Sequence, residues 1–173
     1  MNAIADPRRY VARPDLYAGR VVLVTGASDG IGRAVAKSLA AHGATVLLHG
    51  RSLKKLEKAY DDIVAAGHPQ PAILPLDLEK AVAQDYDAFA AAIDKEFGRL
   101  DGLLLNASIL GARTPIEQFD VPTWCRVLHV NLTAAFIVTQ VCLPLLRRSA
   151  DPAIVFTTSG VGKRGRGYWG AYA

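Results

Sequence analysis

The sequence predicts an α/β fold in which a parallel, doubly wound sheet carries helices on both faces. Five short apolar segments without polar interruption alternate with segments whose apolar residues recur at helical spacing. Uninterrupted apolar strands are typical of parallel sheets, because both faces of such strands are buried. Right-handed crossovers between them predict the strand order 3-2-1-4-5.

The ends of the elements follow from capping residues and from glycine and proline. Strands are predicted at 21–25, 45–49, 72–76, 102–105 and 153–157, and helices at 30–42, 53–66, 85–97 and 120–147. Ser52 and Asp120 are predicted N-caps, since their side-chain oxygens can accept a free backbone N–H. Gly43 and Gly67 favour helix ends, and Pro144 is expected to bend or loosen the last turn of the longest helix.

Length and composition predict one domain. The chain has 173 residues, of which 51% are hydrophobic, which is enough for a core and excludes global disorder. Residues 1–19 are polar, with Pro7 and Pro14, and are predicted to form a loose N-terminal arm on the surface. Residues 20–173 are predicted to form the folded domain.

Charge and cysteine usage limit the partners and the compartment. The net charge of +4 and the pI of about 9.2 suit a phosphate-bearing ligand without requiring nucleic acid. The basic run 163–167 is more typical of an exposed loop, with an acidic substrate as the alternative. Cys125 and Cys142 lie ~25 Å apart on one predicted helix and cannot pair. With no secretory signal pattern and no long apolar run, we expect a cytoplasmic protein without a membrane or nucleic-acid partner.

A glycine-rich turn joins the first strand to the first helix. It is predicted to let the chain leave the strand sharply at Gly26, to let a ligand approach the backbone at Gly30, and to let the helix pack closely on the sheet at Gly32. A pyrophosphate would then lie over the helix N-terminus, where free N–H groups favour an anion. The alternative is a tight turn without a ligand. A P-loop is disfavoured, because Arg33 and Ala34 follow the last glycine.

The end of the second strand bears on cofactor choice. Residues 49, 50 and 51 include no acid that could bind the ribose hydroxyls of NAD. Arg51 can pair with a 2′-phosphate through bidentate hydrogen bonds, which favours NADP. The alternative is a solvated surface arginine. A methyltransferase on a similar sheet would be expected to carry an acid here, so Arg51 argues against it.

Two spacings together resemble the short-chain dehydrogenase/reductase family, in its bacterial NADP-dependent type. They are Gly-x-x-x-Gly-x-Gly after Thr25, and Ser159 followed thirteen residues later by Tyr172. The resemblance runs from Gly19 to the last residue. It implies a Rossmann-type fold and hydride transfer between NADP(H) and a small carbonyl or alcohol substrate. In the glycine turn it implies cofactor contacts from Gly26, Ser28, Asp29, Gly30, Ile31 and Gly32.

The same resemblance implies cofactor contacts at two further strand ends. Asp77 would accept a hydrogen bond from the adenine amino group, aided by the backbone of Leu78; its alternative role is an ordinary turn cap. The family pattern Asn-Asn-Ala-Gly is similar to residues 105–108 here, with Leu105 in place of the first Asn and Ser108 in place of the Gly. Asn106 would tie the fourth strand to its neighbours, and Ala107 and Ser108 would adjoin the nicotinamide.

For catalysis the resemblance implies three residues and no metal. Ser159 would donate to the carbonyl oxygen, Tyr172 would exchange a proton with it, and Asn131 would distort its helix and hold a water in a proton relay. The family's lysine, four residues after the tyrosine, would fall beyond Ala173. We therefore expect the chain to be a fragment of an enzyme that is a homodimer or homotetramer. The alternative is an inactive dinucleotide-binding remnant.

Overall fold

A computed structural model describes residues 10–173. Its strands are β1 Val21–Thr25, β2 Thr45–Gly50, β3 Ala72–Pro75, β4 Gly102–Leu105 and β5 Ala153–Phe156. Its α-helices are α1 Gly30–Ala41, α2 Leu53–Ala65, α3 Ala83–Phe97, α4 Val121–Leu128, α5 Ala134–Leu146 and α6 Gly160–Lys163. Short 3₁₀ turns cover Ile116–Gln118 and Gly170–Tyr172.

All five strands form one parallel sheet in the order β3-β2-β1-β4-β5, which confirms the predicted topology. In the centre of the sheet Leu23 of β1 lies beside Leu47 of β2 and Leu103 of β4. The order reverses between β1 and β4, so the chain leaves a crevice at the carboxyl ends of these strands. Strand β5 is an edge strand and all of its residues are exposed.

Alternate residues of the strands contribute their side chains to two separate hydrophobic cores, one on each face of the sheet. One core, packed against α3 and α5, includes the buried side chains Leu23, Leu47, Leu103, Phe89, Ile93, Val138 and Cys142. The other, packed against α1 and α2, includes Val22, Val24, Val46, Leu48, Ala36, Leu56 and Ile63. Burial on both faces is the physical reason that the strands lack an apolar–polar alternation.

The longest predicted helix is present but is interrupted by a π-helical turn at His129–Thr133, between α4 and α5. Asn131 lies inside this turn, as the resemblance implied. A π-turn inserts one extra residue into the helix and is frequent at functional sites. The helix does not stop at Pro144, since α5 continues to Leu146.

The predicted helix caps are only partly confirmed. The carboxylate of Asp120 accepts a hydrogen bond from Thr123 N at 2.8 Å and caps α4. Ser52 occupies the N-cap position of α2 as predicted, but its side chain does not make the capping hydrogen bond on which that prediction was based. Helix α3 begins at Ala83, two residues earlier than predicted, and the Asp85 carboxylate accepts the N–H of Val82 at 2.9 Å.

The described end of the predicted arm, residues 10–19, lies on the surface and is anchored at its C-terminal part. Tyr17 N donates to His42 O at 2.9 Å, which ties the arm to the end of α1. Gly43 has a φ of +94°, and a Cβ there would lie 3.0 Å from the Ala18 Cα. The segment is therefore packed rather than loose at this point. The prediction for residues 1–9 lies outside the described residues.

The thiols and the long helix bear on the other sequence expectations. Cys125 is exposed, Cys142 is buried, and both are free, as predicted. Burial raises the pKa of the Cys142 thiol to about 12.

By length and composition the helix Val121–Leu146 could cross a membrane, with a mean hydropathy of 1.6. In this fold, however, it packs against α3 and β4 and contributes Val138 to the core.

Candidate functional site

The carboxyl ends of the strands open into two adjoining cavities. The larger, about 660 Å³, is lined by all of the residues predicted to bind a cofactor except Gly32. The smaller, about 240 Å³, is lined by all three residues predicted to be catalytic, Asn131, Ser159 and Tyr172. Leu78, Ala107, Ser108 and Val130 line both cavities. A ligand in the larger cavity can therefore reach a substrate in the smaller one.

The glycine turn has the geometry predicted for it. Gly26 has a φ of +69°, a conformation that L side chains rarely adopt. A Cβ on Gly32 would lie 2.6 Å from the Asn106 Nδ2 and would also overlap the carbonyl of Gly26, so α1 can approach the sheet only with glycine here. Gly30 has a φ of +52°, and a Cβ on it would meet no atom within 4 Å, which leaves open space for a ligand over the turn.

The N-terminus of α1 presents backbone donors to the larger cavity. Among residues 10–173, nothing accepts the N–H groups of Ile31 and Gly32. Asp29 accepts the N–H of Gly30 at 2.8 Å, and Lys55 donates to the other oxygen of the same carboxylate at 2.7 Å. The Lys55 hydrogen bond, followed by that from Gly30, lowers the pKa of Asp29. Lys55 thus offsets the negative charge of the Asp29 carboxylate, which would otherwise repel an anion bound at the N-terminus of α1.

Arg51 extends from the end of β2 at the rim of the larger cavity. Its Nη1 lies 4.0 Å from the carboxylate of Glu79, which is also 3.8 Å from the Nη1 of Arg126 on α4. The Arg51 side chain is 66% exposed, so this pair contributes at most about 1 kcal/mol. Glu79 therefore holds Arg51 only weakly, and a stronger anion could replace it. The side chain of Ser52, free of any capping bond, lines the same rim.

Asp77 and Leu78 follow β3 and line the larger cavity. Asp77 Oδ1 accepts the N–H of Glu79 at 3.2 Å, so the residue does stabilise a local turn. Its remaining acceptor capacity lies at the cavity. Leu78 is buried between the two cavities.

Asn106 ties β4 to both of its neighbours, as predicted. Its Nδ2 donates to Thr25 O on β1 at 3.3 Å, and its Oδ1 accepts from Thr157 Oγ1 at 3.3 Å. Thr25 was missed as a structural residue: its Oγ1 accepts the N–H groups of Asn106 and Ala107 at 2.9 and 3.1 Å, and donates to Leu104 O at 3.2 Å. These bonds fix the backbone of residues 106–108 below the crevice, and Ser108 is exposed into both cavities.

His49 is a cavity-lining residue that sequence reasoning missed. Its ring is buried, packs edge-on against Phe89 at 5.5 Å, and makes no hydrogen bond of regular geometry through either nitrogen. Burial lowers the pKa of His49 to about 4, against a smaller opposing contribution from the backbone of Leu76. The imidazole is therefore neutral at pH 7. The sequence signal that could have identified His49 was a single polar side chain near the end of the apolar strand β2.

The smaller cavity brings together residues from three different segments. Asn131 is held by two bonds to one residue: its Oδ1 accepts Ile109 N at 2.8 Å and its Nδ2 donates to Ile109 O at 2.9 Å. One lone pair and one N–H of the amide remain for a water. Ser159 caps α6, where its Oγ accepts Val161 N at 3.4 Å, so its own hydroxyl proton is free to be donated. Tyr172 closes the cavity from the last 3₁₀ turn.

Comparison with known proteins agrees with this geometry. The family model for short chain dehydrogenases matches residues 20–173. The chain belongs to the short-chain dehydrogenase family. It is 43% identical over 164 residues to the uncharacterized oxidoreductase YciK of Escherichia coli K12, and this match covers 95% of the chain and 65% of YciK. The chain thus spans about two thirds of that relative.

Solved structures give the same result. A short chain dehydrogenase structure from Pseudomonas syringae superimposes with a TM-score of 0.92 and 55% identity, covering 94% of this chain and 67% of that one. A second, from Escherichia coli CFT073 and complexed with NADPH, has a TM-score of 0.91 and 43% identity, covering 93% of this chain and 67% of that one. The predicted family and fold are therefore confirmed.

Proposed function

We propose that the protein transfers hydride between NADP(H) and a carbonyl or alcohol substrate, with the cofactor in the larger cavity and the substrate in the smaller one. The observation that carries this proposal is the adjacency of the two cavities, because a hydride donor and its acceptor must be in contact. Family membership supports the reaction class. The relative complexed with NADPH supports the choice of cofactor.

The larger cavity fits a dinucleotide on the chain's own features. The unpaired N–H groups of Ile31 and Gly32, with the positive end of α1, suit a pyrophosphate over Gly30. Ser28 and Asp29 border the same turn. At the other strand ends, Asp77 and the backbone of Leu78 would receive the adenine, and Asn106, Ala107 and Ser108 would support the nicotinamide end.

Arg51, Ser52 and Lys55 form a group of donors suited to the 2′-phosphate of NADP. All three line one rim of the larger cavity, and Ser52 and Lys55 lie in the first turn of α2 or directly before it. A guanidinium beside a helix N-terminus favours a dianion. The ammonium of Lys55 is already paired with Asp29 but retains further N–H donors for a phosphate. Residues 49–51 contain no carboxylate that would repel it, and Glu79 can shift to Arg126.

Catalysis needs a proton at the carbonyl oxygen as hydride arrives at the carbon; NADPH supplies the hydride. Ser159 donates a hydrogen bond to that oxygen and polarises it, and Tyr172 delivers the proton, while Asn131 holds a water behind them. In the oxidation direction Tyr172 acts as the base, and a nearby cation would favour its deprotonated form. A substrate bound in the smaller cavity meets all three groups, since all three line it.

The proton-transfer role is tested with Tyr172→Phe in the intact protein that the gene encodes. We expect loss of NADPH oxidation with a panel of ketones and aldehydes, while NADPH affinity stays within a small factor, because only the acid is removed. Ser159→Ala serves as a second variant with the same expected direction. Turnover that survives Tyr172→Phe would assign the acid to another residue.

The cofactor preference is tested with Arg51→Ala. We expect a loss of about 1.5–3 kcal/mol in NADPH binding, the scale of hydrogen bonds to a charged group, with NADH binding nearly unchanged. Arg126→Ala is the matched control, because Arg126 also lies beside Glu79 but does not line the cavity. Equal losses for both cofactors in Arg51→Ala would contradict the 2′-phosphate role.

We further propose a cytoplasmic protein that assembles as a homodimer or homotetramer and acts on small molecules, without a membrane or nucleic-acid partner. Two free thiols suit a reducing compartment.

A further inference from the structure

Two arginines from different loops meet on one tryptophan beside the smaller cavity. The guanidinium carbons of Arg113, in the loop before α4, and Arg166, in the loop after α6, lie 5.7 and 5.9 Å from the Trp169 ring centre. We call these three residues the Trp169 cluster. A cation–π contact of this kind is attractive, and it biases where the two arginine side chains rest.

The Trp169 cluster is adjacent to the proposed catalytic tyrosine. The ring centres of Trp169 and Tyr172 are 5.9 Å apart, and Tyr172 lines the smaller cavity. The loop that carries Trp169 packs against Phe119, since a Cβ on Gly170 would lie 2.7 Å from the Phe119 Cδ2. Arg113 and Arg166 are exposed and line neither cavity. Through their contact with Trp169, both positive charges nevertheless neighbour Tyr172.

No acidic side chain among residues 10–173 neutralises this cluster. The side chains of Arg113 and Arg166 form no ion pair with a carboxylate in the described part of the chain, and the same holds for the side chains of the nearby Lys163 and Arg164. By contrast, seven other arginines of the described residues each lie within 4.0 Å of a carboxylate: Arg13, Arg20, Arg33, Arg51, Arg99, Arg126 and Arg148. Two like charges on one ring repel each other, and a bound anion removes that cost.

We propose that the substrate is an oxo acid, a carbonyl compound whose carboxylate binds Arg113 and Arg166 while its carbonyl lies at Tyr172. This inference rests on the proposed hydride transfer. A guanidinium that stacks on an aromatic face keeps its N–H edge free for bidentate bonds to a carboxylate. The carbonyl carbon accepts hydride from NADPH and the oxygen accepts a proton from Tyr172, so the products are a hydroxy acid and NADP⁺.

The geometry also limits the shape of the substrate. The substrate has to reach from guanidinium groups 5.7 and 5.9 Å from the Trp169 ring centre to Tyr172, whose ring centre is 5.9 Å from that of Trp169. The number of carbons between its carboxylate and its carbonyl is therefore the property that a series of oxo acids measures. The apolar face of Trp169 would pack against the connecting carbons.

The test compares matched substrates in the intact protein. A series of straight-chain oxo acids, in which the carbonyl moves stepwise away from the carboxylate, is assayed against the corresponding methyl esters by NADPH oxidation. We expect at least one longer acid to exceed its ester in kcat/KM by about tenfold or more, the size of one charged hydrogen-bonded pair. The preference should decline as salt is added.

The variants separate the cluster from the general charge of the loop. The double variant Arg113→Gln with Arg166→Gln should lose the preference for the acid, mainly through KM, and keep the turnover of the ester. Arg164→Gln is the matched control, since Arg164 lies on the same loop without contacting Trp169. Calorimetric binding of the hydroxy acid product to the NADP-bound protein should weaken in the double variant and not in the control.

Each outcome has a definite meaning. Equal kcat/KM for acids and esters, or an equal loss in Arg164→Gln, overturns the oxo-acid inference and leaves hydride transfer in place. A protein that binds NADPH but reduces no acid, ester, ketone or aldehyde overturns the proposed function, and the inference with it. Retained hydroxy acid binding in the double variant likewise contradicts the cluster as the anion site.

Discussion

At the scale of single residues, His49 shows how burial alone can make a side chain sensitive to pH. Its pKa of about 4 lies below the ordinary value of 6.5, mainly because burial disfavours the charged ring. The unfolded chain therefore binds the proton first, and stability falls as the pH drops from 6.5 towards 4. Linkage predicts a loss of about 2 kcal/mol between pH 7 and pH 5 from this residue.

The substitution that tests this effect is His49→Leu, which removes the titrating ring and keeps an apolar side chain. We expect urea unfolding of the intact protein to show a smaller decrease in the free energy of unfolding between pH 7 and pH 5 than the wild type shows. Identical decreases in both proteins would mean that His49 does not carry the linkage.

At the scale of elements, the Asp101 side chain joins the amino ends of β1 and β4 to the loop between α5 and β5. Its carboxylate accepts Val21 N at 2.8 Å and Ser149 Oγ at 2.6 Å, and Arg99 Nε lies 3.2 Å from it. Burial alone would raise the pKa of Asp101, but the bonds from Ser149, Val21 and Arg99 outweigh it and the pKa lies below 3.8. Its contribution to stability is complete above that pH and is lost as the pH falls further.

Removing this carboxylate tests its role in the sheet. Asp101→Ala leaves the buried N–H of Val21 without an acceptor and should cost about 2–3 kcal/mol of unfolding free energy. Asp151→Ala is the matched control: that side chain is 85% exposed and pairs with Arg20, so its loss should cost about 0.5 kcal/mol or less. Similar costs for the two variants in denaturant titrations would argue against a special role for Asp101.

At the scale of the whole molecule, the described residues 10–173 present an open apolar edge at β5. On β5 Val155 and Phe156 are 55% and 54% exposed, and on the long helix Leu132 and Phe136 are 66% and 62% exposed. An unpaired apolar edge strand can template association. We expect residues 1–173 expressed alone to be poorly soluble, to bind a hydrophobic dye, to bind NADPH weakly and to reduce no carbonyl substrate.

A charge placed on that edge tests the explanation. Val155→Lys should raise the soluble fraction of residues 1–173, because it breaks the apolar surface of β5. Ile116→Lys adds the same charge at a residue that is 82% exposed but lies on no strand, and should change solubility little. A sharp cooperative melt of residues 1–173, together with measurable turnover, would contradict the prediction that this chain alone is poorly soluble and reduces no carbonyl substrate.

The sequence by itself determined the topology, the glycine turn and the positions of the proposed site residues, because these depend on local patterns. Apolar runs specify buried strands. Gly26 has a positive φ that other residues rarely adopt, and at Gly32 the close packing of α1 on the sheet leaves no room for a Cβ. Only the tertiary structure decided which side chains meet: Glu79 between Arg51 and Arg126, Asn131 on Ile109, and Arg113 with Arg166 on Trp169. Such contacts join segments far apart in the chain, and their distances depend on how the helices and loops pack.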